Sequence, residues 1–449
     1  MKRTLQPALL FLLALLISSC ARQAAPEPTA AEPQSSRPAV AATPEPVPFD
    51  TWAAADETET LTIDEASERV RSDPDAVYLF ATNVGKGDAL VLRVGDWIGL
   101  VDTGKTWAQG RVSTALGLMG VNYSPGGKDE LDAVFLTHTD DDHTGGLRWL
   151  TAQNTWVHRR AVGAFYASAM YTGVKASKHV AAEAAASFAQ RVNWLRRGDE
   201  IPLGDTGAVL KVLAPASLYE DKDDNNSLVM MLESSQGRIL LTGDMELPEE
   251  AELLGQGDDL KCDVLKVANH ADDDTTSAAF AEACAAQIAV ISTDGQQKPG
   301  TPDPGVVSRL ETAGSQVVVT EDSGLGILVT LKDGVATANY VEFGAPVDTG
   351  LSIIEVDASD DRITVQNNGE TAVGLGLLYL YSDKGDELYV IPDGARIAPG
   401  ETLTVGTNST KGDYDLLWDD KKVVNKKKTD TIYLYDSWGR LIDWKDNGK

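Results

Sequence analysis

The chain has 449 residues, enough for two or three domains, and 43% of them are hydrophobic against 24% charged, a globular balance that excludes bulk disorder. Lys and Arg number 39 against 68 Asp and Glu, a net charge of −29, so the overall field repels nucleic acid and any polyanion must be held locally. Three cysteines, Cys20, Cys262 and Cys284, are too few for a disulfide scaffold or a four-cysteine zinc site, and the last two read as buried thiols.

In chain order, Lys2 and Arg3 precede an apolar run from Ala8 to Ile17, about half the ~20 residues that a spanning helix needs. Residues 1–20 therefore read as a signal peptide. Its end, Ile17-Ser18-Ser19-Cys20, resembles a bacterial lipobox, which implies a lipid on Cys20, a membrane anchor and an extracytoplasmic location at the cell surface or in the periplasm. Residues 21–74 are rich in Pro, Ala and Glu and read as a linker, with Asp64 to Arg71 as a short helical lead-in and the first packed element at Val77.

Residues 75–345 alternate short Val/Ile/Leu-rich strands (VYLFATNV, WIGLVDTG, DAVFLTHT, RILLTGD, VLKVANH, IAVIST) with helical stretches, among them HVAAEAAASFAQRVNWLRR and VVSRLETAG. Such strands are expected where both faces of a sheet are covered, which predicts an α/β layered domain. Residues 348–449 change texture to strands with Asn-Gly, Pro-Gly and Lys-Gly turns, which predicts an all-β immunoglobulin-like sandwich.

The chemistry concentrates in His138-Thr139-Asp140-Asp141-Asp142-His143-Thr144-Gly145-Gly146, directly after a predicted strand. Two imidazoles and several carboxylates on one tight loop supply neutral nitrogen and anionic oxygen donors that can converge on a divalent cation. Asp244 closes a second strand behind Gly243, and His270 closes a third. Three of the five histidines and Asp244 thus all fall at carboxyl ends of predicted strands, where open sheets place their ligands.

His138-x-Asp140-x-Asp142-His143-x-Gly-Gly resembles the H-x-[HD]-x-D-H signature of the metallo-β-lactamase fold. With Asp140 in the second position it is similar to the hydrolase domain of ComEC-type competence proteins. Val84-Gly85-Lys86-Gly87-Asp88-Ala89, Leu100-Val101-Asp102-Thr103-Gly104, the segment Gly198 to Gly204, Asn225-Asn226-Ser227-Leu228-Val229, Leu241 to Asp244 and Leu265-Lys266-Val267 match that family's motifs in the same order, from Val77 to Phe343. The resemblance implies an αββα metallo-β-lactamase sandwich and one or two divalent ions, Zn or Mn. They would be held by His138, Asp140, Asp142, His143, Asp244 and His270, with Asp244 bridging. It implies that Asp102 orients a ligand or the loop, with Asn226 and Ser227 as weaker candidates nearby, and that catalysis rests on Asp142, Asp140 and His270. Hydrolysis of a phosphodiester, with nucleic acid as substrate, is the implied reaction.

Two departures from the family pattern stand out. Asn269 occupies the place of one histidine and Thr301 that of another, with Asp272, Asp273 and Asp274 as possible oxygen substitutes. The alternatives are an altered or inactive site that only binds, or hydrolysis of another ester or a lactam. Arg159, Arg160, Lys175, Lys178, Arg191, Arg196 and Arg197 make the middle of the domain more basic, while His158 and His179 read as surface positions. Asn367-Asn368-Gly369, Ile397-Ala398-Pro399-Gly400 and Leu434 to Gly439 in the C-terminal domain resemble a bacterial lamin-tail domain. That resemblance implies docking to a cell-envelope partner, with Lys426, Lys427 and Lys428 able to touch an anionic polymer.

Overall fold

A computed structural model describes residues 58–121, 130–147, 161–170, 192–345 and 348–449. Cys20, the signal peptide, most of the linker, His158, Arg159, Arg160, Lys175, Lys178, His179 and Arg191 lie outside the described residues. Among the described residues no helix is long and apolar enough to cross a membrane.

Two sheets face each other across an apolar interior. From edge to edge the first runs Thr60–Thr62, Val335–Glu342, Gly326–Lys332, Val77–Thr82, Leu90–Val94, Trp97–Val101, Glu130–Leu136, Ala161–Ser168 and Asn193–Leu195. The second runs Gln316–Val319, Ile288–Ile291, Val264–Lys266, Gly237–Leu241, Val229–Ser234, Val209–Ala214 and Glu200–Pro202. The second sheet is antiparallel at one side and parallel at the other, while the first is antiparallel from Val335–Glu342 to Trp97–Val101 and parallel at both ends: Leu100 pairs with Val134 in one parallel ladder of the first sheet, and Leu240 with Leu265 in the second.

The strands are apolar on both faces because both faces are covered. In Val77–Thr82, the side chains of Val77, Leu79 and Ala81 enter the core between the sheets, whereas Tyr78 and Phe80 join the outer layer with helices Ile63–Ser72 and Gln109–Leu118. The inter-sheet core adds Leu92, Val101 and Phe135 from one side and Met230, Leu241 and Val290 from the other. Helices Leu247–Gln256, Ala278–Cys284 and Pro304–Thr312 cover the outer face of the second sheet, where Cys262 and Cys284 are buried free thiols. The layering is therefore αββα. Each Leu- or Phe-sized side chain removed from water contributes about 1.5–3 kcal/mol, so this doubled core dominates stability.

Packed structure begins earlier than Val77, inside the segment read as linker. Thr60–Thr62 pairs in parallel with Tyr340–Glu342, and helix Ile63–Ser72 starts with a reciprocal capping box between Thr62 and Glu65. That helix buries only Ala66, Ser67 and Val70, a face too narrow to show in its charged composition. A second correction concerns Asn193–Leu195, expected as the end of a helix. It is an edge strand parallel to Tyr166–Ser168, because pairing with a sheet edge overrides local propensity; the Ala-rich residues 171–191 before it lie outside the described residues.

The C-terminal region is all β, as expected. One four-stranded sheet holds Leu351–Asp357, Arg362–Asn367, Thr402–Thr407 and Leu416–Trp418, and another holds Glu387–Val390, Tyr379–Ser382, Thr431–Tyr435 and Leu441–Asp446, around a core that includes Val365, Leu380, Val405 and Ile432. Buried Asn367 fixes its turn by donating to the carbonyls of Thr371 and Ile397 and accepting from Gly369 N.

This region is docked against the hydrolase-like sandwich. Tyr379 donates its hydroxyl to the Trp107 carbonyl at 2.9 Å, Trp107 stacks on Tyr435 with ring centroids 6.0 Å apart, and Arg111 lies over Trp107 while donating to Gly439 O. Gly110 is required at the seam, because a Cβ there would stand 2.7 Å from Gly439 N.

Candidate metal centre

The site forms where four strands end. Strand Trp97–Val101 delivers Asp102 in a left-handed conformation at φ 58°, which swings its carboxylate under the loop that follows Glu130–Leu136. Asp102 accepts from Thr137 N at 2.8 Å, from the Thr137 hydroxyl at 2.7 Å and from His143 Nδ1 at 2.7 Å. Asp140 starts the single helical turn Asp141–Thr144 that carries Asp142 and His143.

The second sheet supplies the facing ligands. After Gly237–Leu241 the chain turns at Gly243, φ +52°, where a Cβ would approach the side chains of Ser227 and Thr137 to 2.9 and 3.0 Å; the turn puts Asp244 beside the histidines. After Val264–Lys266, Asn269, His270 and Ala271 are all left-handed, a strained run that directs the His270 ring into the cluster.

Hydrogen bonds at Nδ1 orient the three clustered imidazoles. His143 donates Nδ1–H to Asp102, and His270 donates Nδ1–H to the Ser292 carbonyl at 2.6 Å. Thr137, its own proton given to Asp102, accepts from His138 Nδ1 at 3.1 Å. All three Nε2 atoms therefore point inward. His143 Nε2 lies 3.4 Å from His270 Nε2 and 3.2 Å from Asp244 Oδ1, while Asp244 Oδ2 lies 3.1 Å from His270 Nε2 and 3.9 Å from His138 Nε2. Asp142 Oδ2 is 3.7 Å from His270 Nε2.

These residues fit a divalent cation. His138 Nε2 and Asp244 Oδ1 are buried polar atoms without a hydrogen-bond partner, which is costly unless something else engages them. Ligand atoms converge in overlapping groups: His138, His143 and Asp244; Asp142, His143 and His270; and His138, Asp140 and Asp224. Asp244 belongs to the first group and also lies 3.1 Å from His270 of the second.

Burial pushes the His143 imidazolium down, but Asp244 and Asp102 more than reverse it and raise its pKa well above the usual histidine range. Burial also pushes Asp142 up, yet His143, His270 and Lys86 overcome that and the neighbouring Asp244 charge, leaving the carboxylate well below its usual range.

The expected ligands His138, Asp140, Asp142, His143, Asp244 and His270 are all brought together, and Asp102 sits behind them. Ser227 touches the site through its hydroxyl, which accepts from Asp244 N at 3.0 Å. Asn226 faces away, bonded to Tyr219 and Lys222. Neither departure enters the cluster: Asn269 donates to Glu246, and Thr301 pairs with the Thr293 hydroxyl at 2.7 Å. Asp272 is taken by Lys298 at 2.7 Å, and none of Asp272, Asp273 and Asp274 joins a ligand group among the described residues. Arg196 is exposed, and Arg197 pairs with Asp258.

Sequence reasoning missed Asp224, whose Oδ1 lies 3.9 Å from His138 Nε2; its only signal was an acidic run before the strand Val229–Ser234. It also missed the buried ion pair of Lys266 with Asp88 at 2.8 Å, which clamps the second sheet to the turn beneath Asp142.

Residues 83–295 match the family model of the metallo-beta-lactamase superfamily, and residues 345–448 match that of the lamin tail domain. The chain is 26% identical over 253 residues to ComE operon protein 3 of Bacillus subtilis, covering 54% of this chain and 31% of that protein. It is 25% identical over 248 residues to competence protein ComA of Neisseria gonorrhoeae, covering 54% and 30%. The aligned part thus spans about a third of these relatives' length. Among solved structures, the metallo-beta-lactamase fold protein YhfI from Bacillus subtilis superposes with a TM-score of 0.37 at 14% identity, covering 59% of this chain and 100% of that one. Residues 83–295 are thus a metallo-beta-lactamase-superfamily domain with relatives among competence proteins, and residues 345–448 a lamin tail domain.

Proposed function

We propose that the chain is a metal-dependent phosphodiesterase that cleaves DNA outside the cytoplasm, held at a membrane surface through lipid on Cys20. The lamin tail domain would meet a cell-envelope partner. The observation that carries the hydrolase reading is the convergence of the His138, His143 and His270 Nε2 atoms with the Asp142 and Asp244 carboxylates. Support for DNA as substrate comes from the names of the relatives, which are competence proteins.

His138, Asp140, Asp142, His143, Asp244 and His270 would hold one or two ions, Zn or Mn. A bound divalent cation lowers the pKa of water and neutralises charge developing on a phosphoryl oxygen. The chain's own residues do the rest. Asp102 and Ser292 O keep the rings turned inward, so the donor set is built before substrate arrives. Asp140 stands at the solvent-exposed side, close to His138 and Asp224; burial raises its pKa, and when it does not hold an ion its carboxylic acid form would give a proton to a departing oxygen and regain one from solvent. The apolar core between the two sheets closes the site from behind.

Incubation of the Zn- or Mn-loaded protein with end-labelled single- and double-stranded DNA tests the proposal. Cleavage that Asp142→Ala abolishes supports it; no cleavage above that control rejects it.

A further inference from the structure

Two lysines stand at the ligand cluster with no assigned task. Lys86 lies on the turn after Val77–Thr82, with Nζ 2.6 Å from Asp142 Oδ2 and under the attraction of Asp244 and Asp140 as well. That turn is pinned to the metal loop, because Asp88 N donates to Asp142 O at 3.2 Å. Lys105 comes from the segment after Asp102. Its Nζ donates to Gln297 Oε1 at 2.5 Å, and among the described residues no carboxylate lies within ion-pair range of it. Gln297 is anchored in turn by Asp294 at 2.9 Å and lies where only the bare α-carbon of Gly85 leaves room. Three loops thus meet on one side of Asp142.

A half-buried ammonium bonded only to a neutral amide keeps two N–H donors and no counter-charge. Burial pushes Lys105 down and Lys86 adds to it, while Asp142, Asp294 and Asp386 oppose this from beyond ion-pair range, so both lysines feel the Asp142 carboxylate and each other. The neighbouring lysines are already matched: Lys222 by Glu246 and Asp224, Lys298 by Asp272, Lys266 by Asp88. The only ion-pair partner of Lys86 among the described residues is Asp142, a ligand whose negative charge is shared once the site is loaded. In a chain of net charge −29, an anion needs such a local pair of cations to approach.

We propose that Lys86 and Lys105 form an oxyanion clamp that takes the two non-bridging oxygens of a phosphodiester beside Asp142, which makes the substrate a charged diester and not a neutral ester. This rests on the hydrolase reading above.

The test uses the full metal-loaded protein with Lys86→Gln, Lys105→Gln and the double variant, and with Lys332→Gln, a surface lysine paired with Asp73, as control. Two readouts are taken: binding of inorganic phosphate by calorimetry, and turnover of bis(p-nitrophenyl) phosphate, a short thymidine dinucleotide and neutral p-nitrophenyl acetate. The expected result is a phosphate Kd and a diester KM each raised about tenfold or more per lysine, as for the loss of a charge-assisted hydrogen bond. Metal content is measured for each variant, the acetate KM is expected to move far less than the diester KM, and Lys332→Gln is expected to leave all of these values unchanged. Equal shifts for both diesters identify the phosphodiester group itself as the ligand; a shift confined to the dinucleotide identifies nucleic acid as its source. Unchanged phosphate affinity in the double variant overturns the clamp. Wild-type protein that binds phosphate through these lysines but turns over no ester overturns the hydrolase reading instead.

Discussion

Asp102 Oδ2 accepts the Nδ1 proton of His143 at 2.7 Å, with both side chains fully withdrawn from solvent. Through that bond a residue at the end of one strand sets the direction of the imidazole on the next loop. Asp102→Ala leaves the His143 ring without an acceptor and frees it to flip. The expected outcome is a zinc affinity weaker by about 10–100-fold, measured by competition with a chromophoric chelator, with far-ultraviolet circular dichroism unchanged. An unaltered affinity would show that the bond is dispensable.

The raised pKa of His143 has a sign that can be read directly. Without a cation, the proton on the ring stays bound above the ordinary histidine value of 6.5, so a metal ion arriving just above that pH must displace it. Uptake is expected to release protons just above pH 6.5, and the apparent affinity to rise with pH until the raised value is passed. Calorimetric titration in two buffers of different ionisation enthalpy measures the release; identical heats in both would contradict it.

Lys266 and Asp88 form an ion pair between two side chains that are 0% and 1% exposed. Lys266→Met strands a carboxylate in the interior and is expected to cost about 3–5 kcal/mol in urea unfolding. Replacing both, Lys266→Met with Asp88→Leu, is expected to recover much of that loss, because the pair itself contributes little net stability. A double variant no more stable than the single one would contradict this account.

The seam at Gly110 predicts that the sandwich and the lamin tail domain unfold together. Gly110→Val forces a side chain against Gly439 and is expected to split one calorimetric transition into two. One unshifted transition in the variant would show that the seam carries no coupling.

Much of this was legible in the sequence because strand ends and ligand residues coincide. The run from His138 to His143, Asp244 behind Gly243, and His270 at the end of an apolar strand each mark a place where a sheet stops and polar side chains can gather. Asp224 was not legible, since one carboxylate in the run Glu220 to Asp224 looks like any solvated neighbour until Val229–Ser234 carries it to His138. Lys105 was hidden for the same reason: its lack of a counter-charge is a fact of three loops meeting, not of local pattern. Helix Ile63–Ser72 was obscured by its own charge, although Thr62 and Glu65 spelled out its cap.

The central claim is that side chains from both sheets hold one or two divalent cations at a single centre. Elemental analysis of the full-length protein after Zn or Mn loading and desalting, beside Asp244→Ala and His143→Ala, tests it most directly. The account predicts about one to two equivalents in the wild type and less than about a tenth in either variant. Metal content that is negligible in the wild type, or equal in all three, would contradict it.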